Sequence, residues 1–148
     1  MQKHTTGKVN IGVGLIVMAG FMLYGFYLIY ARDFAPGKEA WIAGYAVHPH
    51  FEARLAHVHG NLFAFLNIVF GYLIMTLPIG KSSAKWVSGL ALAGLLMPIG
   101  ILSEIYLGLP PVLVLLGAAC IVLATITLGV SVMLMKKSHL QLIEDKDA

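Results

Sequence analysis

Apolar residues run along this chain in four long blocks separated by short polar stretches. The blocks cover Ile11–Tyr30, Leu55–Leu77, Trp86–Leu107 and Val112–Met135. Each is near the roughly 20 residues that a helix needs to cross a bilayer. The pattern predicts an all-α, polytopic membrane protein: one four-transmembrane-helix, up-down bundle over residues 1–148. The connection Gly108-Leu109-Pro110-Pro111 allows a tight reversal and little more, so the third and fourth spans form an antiparallel hairpin. Pro78–Lys85 joins the second and third in the same manner. Pro98, inside the third span, is expected to kink it and to free the carbonyl near Gly94.

Composition sharpens this picture. Of the 148 residues, 59% are hydrophobic and only 11% charged, against about 25% charged in a soluble domain. Most of the surface therefore does not face water. The formal charge of +3 contains no Lys/Arg run of the kind that marks a nucleic-acid face, so a nucleic-acid partner is not expected. Cys120 is the only cysteine. It lies in the fourth span and reads as a small apolar residue. The first span is too long for a signal-peptide core and lacks a small-x-small cleavage site, so it is expected to stay in the mature protein.

Charge also sets orientation. Lys3, Lys8, Lys81, Lys85, Lys136, Lys137 and Lys146 fall on one side of the predicted bundle. The other side has Arg32, Lys38 and Arg54, balanced by Asp33, Glu39 and Glu52. The positive-inside rule then places both termini in the cytoplasm of a cell whose inner membrane the chain crosses. The loop Ala31–Arg54 faces outward, and the tail after Met135 is expected to be a solvated, frayed end. Trp86 marks one interface, and Tyr27 and Tyr30 the other.

Ionisable groups inside a membrane are costly and point to function by default. Here they gather at one end. Span two opens with Arg54, His57, His59 and Asn61 and later carries Asn67; span three closes with Ser103, Glu104 and Tyr106; span one ends with Tyr24, Tyr27 and Tyr30. With spans two and three antiparallel, these groups share the outer leaflet. Residues two apart differ by about 200° around a helix, so His57 and His59 face opposite sides. The His57 face also carries Gly60, Asn61, Ala64, Asn67 and Gly71, which leaves room for a bulky planar group or for a closely packed helix. The His59 face carries Leu55, Leu62, Leu66 and Leu73.

On this reading His57 is a candidate axial ligand to haem iron, with Gly60, Ala64 and Asn67 beside the porphyrin. His59 is the alternative ligand, with the porphyrin between subunits or against Phe63 and Phe70. The competing reading is that the histidines, Asn61 and Asn67 only join helices by hydrogen bonds. Glu104 either orients a histidine or carries a proton, or else pairs with Arg54 or snorkels to the interface. Tyr106 is either an interfacial anchor or a catalytic hydroxyl. His48-Pro49-His50, in the outer loop, either binds a divalent metal, caps the pocket mouth or is an exposed polar loop. Arg32, Asp33, Lys38 and Glu39 read as ordinary interfacial charges.

The segment Ala56-His57-Val58-His59-Gly60-Asn61-Leu62, followed by Phe65-Leu66 and Gly71, resembles the Ala-His-x-His-x-Asn-Leu segment of small four-span proteins related to subunit I of the haem-copper oxidases. Gly94–Gly100 is similar to their third helix. The resemblance covers about residues 50–130 and implies haem b, though the chain lacks the length and the histidines of a full oxidase. Ala53–Gly60 also resembles the Ala-Arg-Ala-His-x-Gly segment of styrene oxide isomerase, a four-helix membrane enzyme. That family binds haem b between the subunits of a trimer and opens an epoxide with ferric iron as Lewis acid. The resemblance implies His57, or His59 in a shifted register, as iron ligand and Tyr106 as a substrate-facing tyrosine. It also implies a homotrimer and a small apolar substrate. Asn61 and Glu104 complete the candidate catalytic end. The family's asparagine six residues after its histidine is Phe63 here. Hydroxylaminobenzene mutase has a comparable Ala-His-x-x-Gly segment.

Overall fold

The computed structural model describes residues 2–135, with side chains from residue 5. Among these residues every regular element is helical: α1 (Gln2–Asp33), α2 (Lys38–Ala43), α3 (His50–Thr76), α4 (Lys81–Gly94), α5 (Leu96–Leu107) and α6 (Val112–Met133). Four helical stretches are long and apolar enough to cross a membrane: Thr5–Asp33, His50–Thr76, Lys81–Leu107 and Val112–Met133. The third combines α4 and α5. The four-span expectation therefore holds. The lysines at 136, 137 and 146 and the expected frayed tail lie outside the described residues.

The first three helical stretches begin ahead of their apolar blocks, while α6 begins with its block at Val112. α1 begins nine residues before Ile11, because nothing from Gln2 onward breaks a helix. Its 32 residues make a rod of about 48 Å, longer than the roughly 30 Å hydrocarbon core. α3 begins at His50, directly after Pro49, and α4 begins at Lys81, directly after Gly80. Hydropathy marks where a helix meets lipid; Pro and Gly mark where it ends. The loop after α1 holds α2, which follows Gly37 at φ 81°. This short helix was not apparent from hydropathy.

Small residues let the helices approach closely. α1 packs on α3, with Gly7 against Gly71 and Gly14 against Ala64. A Cβ on Gly14 would lie 2.7 Å from the Ala64 carbonyl oxygen. The small face of α3 is thus occupied by a neighbouring helix, one of the two possibilities its composition allowed. The second pairing sets α4 and α5 against α6. The helix breaks at Leu95, whose N–H reaches back to Leu92 O at 3.1 Å. Pro98, four residues after Gly94, has no N–H to offer the Gly94 carbonyl, as the sequence led us to expect. The broken segment then seats on α6 through Gly94, Gly100 and Gly117. A turn at Gly108, φ 64°, leads into α6, with Gly108 and Leu109 N–H groups closing on Glu104 O and Ser103 O.

The core cluster, including Phe63, Phe70, Ile74, Val87 and Ile121, fills the space between α3, α4 and α6. Cys120 is half-buried on α6. Gly117 tests the α5–α6 seam: a Cβ there would overlap the Met97 backbone nitrogen, which has no flexible side chain to give way. Gly117→Val is expected to cost about 2–3 kcal/mol through overpacking. A drop in melting temperature in detergent, with helical circular dichroism retained, checks it.

Candidate functional site

Two polar clusters lie at different levels of the bundle. The first is a junction of α1, α3 and α4. Asn10 and Asn67 are both fully buried. Asn10 Nδ2 donates to Asn67 Oδ1 at 2.9 Å and to Ser88 O at 3.3 Å. Asn67 Nδ2 donates to Phe63 O at 3.0 Å and Ala91 O at 2.8 Å. The Ser88 hydroxyl donates to Asn10 Oδ1. Both amides are saturated by protein groups, so Asn67 joins helices at a site whose other partners, Asn10 and Ser88, hydropathy alone does not flag.

The second cluster is a cavity of about 540 Å³ at the end of the bundle that carries α2, walled by α1, α2 and the start of α3. Its α1 wall includes Met22, Gly25, Phe26 and Ile29; its polar lining is Arg32, Arg54, His50 and His57. That volume lies within the roughly 300–1,000 Å³ common for small-molecule sites.

His57 is fixed by α1. Its Nδ1 lies 2.8 Å from the Phe21 carbonyl oxygen. A carbonyl only accepts, so Nδ1 carries a proton, and in the neutral ring Nε2 keeps its lone pair. Nε2 makes no hydrogen bond among the described residues. Asn61 Nδ2 sits 3.4 Å from the same Nδ1, but two donors cannot bond each other. Its bond goes to His57 O at 2.9 Å. The imidazole reaches α1 because residue 25 is glycine: a Cβ there would stand 2.6 Å from His57 Cε1. Phe21 in turn packs its ring directly on Gly60. Gly25→Val is therefore expected to expel the imidazole from its place. Loss of the protection of the His57 ring from diethyl pyrocarbonate, with little change in helicity, checks it.

The other predicted residues are placed apart. His59 lies on the opposite side of α3; its Nδ1 donates to Leu55 O at 3.0 Å and its ring meets Phe63 edge-on at 5.9 Å. Gly60 and Ala64 are buried under α1. Tyr106 and Tyr24 bring their hydroxyls to 3.1 Å, and Tyr24 stacks on Tyr27. This joins the ends of α1 and α5, as the antiparallel topology required. Glu104 is half-buried, and its carboxylate makes no hydrogen bond or ion pair among the described residues; Arg54 turns to Tyr45 instead. Neither Glu104 nor Tyr106 lines the cavity with His57.

The His48-Pro49-His50 segment is not a free loop. His50 opens α3, is buried, donates from Nδ1 to Trp41 O at 2.7 Å and stacks on the Trp41 ring at 4.1 Å. His48 pairs with Glu52, Nδ1 to Oε2 3.4 Å. Among the described residues no group of three or more His, Cys, Asp or Glu side chains could hold a metal ion. The residues that sequence reading passed over are Phe21, Gly25 and Tyr45. A seven-residue spacing, Gly7, Gly14 and Phe21, was the available signal for the face of α1 that meets α3.

No protein-family model, curated protein or solved structure matches this chain. The resemblances noted above therefore rest on the quoted residues alone.

Proposed function

We propose that this chain is a multi-pass protein of the cell's inner membrane, with both termini cytoplasmic, that binds haem b in the α1–α3 cavity through His57. The observation that carries the reading is the tautomer of His57. Its Nδ1–H is spent on the Phe21 carbonyl, so in the neutral ring Nε2 is the nitrogen that could bind iron. Iron-binding histidines are commonly oriented in this way, by a backbone carbonyl on the second ring nitrogen. A porphyrin supplies four of the iron's ligands, so one imidazole suffices where a protein-only metal cage would not form. The apolar wall of Met22, Phe26 and Ile29 suits a flat macrocycle, and these three side chains are largely exposed. A second copy, in a homotrimer, completes the cover.

His57 would hold a ferric haem there, and that group would supply Lewis-acid chemistry. The chain's own residues then hold that group, orient it and keep water away. Exclusion of water matters for isomerisation of a small apolar epoxide, because water diverts the opened substrate to a diol. Such a substrate reaches the cavity from the bilayer. The haem-loaded protein is expected to convert an aryl epoxide to the isomeric carbonyl compound, read by gas chromatography. Diol formation, or no turnover, sinks the isomerase assignment.

A second reading is a non-catalytic haem protein, for sensing, electron transfer or assembly of a respiratory complex. The separation of Glu104 and Tyr106 from the cavity favours it. A reversible redox couple without turnover selects it. A cofactor-free structural or transport role, with the histidines only joining helices, corresponds to a protein that takes up no haem.

A further inference from the structure

Two arginines line the cavity, and they are not equivalent. Arg32 is already neutralised: its Nε donates to Asp33 Oδ1 at 2.8 Å and a terminal nitrogen to Oδ2 at 2.7 Å. Arg54 has no carboxylate partner among the described residues. It uses one of its five N–H donors, on Tyr45 O at 3.2 Å. Its guanidinium carbon stands 3.6 Å from the centre of the Tyr45 ring. The ring and the carbonyl thus fix the group in place without cancelling its charge.

A guanidinium fixed at the mouth of an apolar cavity, with no carboxylate partner among the described residues, is free to take an anion. A guanidinium suits a carboxylate in particular, because its planar fork matches the two oxygens. Arg54 is three residues before His57 on α3, so the two sit on one face of the helix within a turn. A ligand held by His57 and Arg54 together has a metal or other imidazole-binding centre and an acid group on its edge.

We propose that Arg54 is the acid-binding group of this cavity: it takes a carboxylate of the amphipathic ligand whose centre His57 holds. This rests on the haem reading above, and there the carboxylate is a haem propionate. Tyr45, on the segment after α2, then positions Arg54 and makes that segment part of the binding site.

The test changes the ligand before the protein. Purified full-length protein in detergent is titrated with haem b and with its dimethyl ester, which keeps the ring and iron but has no acid groups. Wild-type protein is expected to bind the ester about tenfold more weakly or worse, the order expected for losing a charge-assisted hydrogen bond. Arg54→Gln is expected to weaken haem b by a similar factor, to leave the ester unchanged and to keep the absorption maximum of the bound form. If wild-type protein binds both forms equally and His57→Ala abolishes binding, the haem reading stands and the role of Arg54 is overturned. If wild-type protein binds neither form, both fall.

Discussion

The His57→Ala variant is expected to lose its Soret band, while His59→Ala keeps the full wild-type spectrum. The expectation follows from where each imidazole stands. His57 lines the cavity with Nδ1 committed to the Phe21 carbonyl. His59 leans on its own helix, bonded to Leu55 O, and lies outside the cavity. Removing the sole iron ligand leaves haem held by apolar contact and the Arg54–carboxylate pair alone, so affinity should fall by orders of magnitude. Absorption spectra of the variants, purified from haem-replete cells, check it. Loss of the band in His59→Ala alone would place the iron on the other side of α3, against Phe63.

The second large effect concerns stability. Asn67→Leu is expected to destabilise the bundle by about 2 kcal/mol or more, from several lost hydrogen bonds. The leucine leaves the Asn10 amide and the Ala91 carbonyl without their partner in a site that water does not reach. The remedy is diagnostic. Adding Asn10→Leu and Ser88→Ala removes most of the orphaned groups together, so the triple variant should recover part of the loss. Thermal unfolding in a single detergent compares the three proteins. Equal stability of Asn67→Leu and wild type would mean that the junction contributes nothing.

The spans were legible because hydropathy responds directly to lipid, and each apolar block overlaps one membrane-length helical stretch to within two residues of its end. Helix ends were less legible. Lys81, Ser82 and Ser83 are polar yet helical, since polar residues outside the hydrocarbon core carry no penalty for helix formation. α2 was hidden for a similar reason: six residues flanked by glycines have no periodicity to read. At the site, the opposition of His57 and His59 was readable from helical geometry alone, and so was the gathering of polar groups at one end. The choice between a planar ligand and a close helix for the small face of α3 was not. Gly60 and Ala64 look the same in either case. What decides it is the partner, where Gly14 of α1 meets Ala64 and Phe21 of α1 meets Gly60. The roles of Arg54 and His50 were equally hidden, because each depends on a residue of the Trp41–Tyr45 segment brought back over α3.

The most direct test of the account is an equilibrium titration of haem-free wild-type protein with haem b, followed in the Soret region. The account predicts saturable uptake, one haem per chain, with the spectrum of a ferric iron bound by one histidine. A titration that shows only the spectrum of haem in detergent micelles, at every ratio of haem to protein, would contradict it.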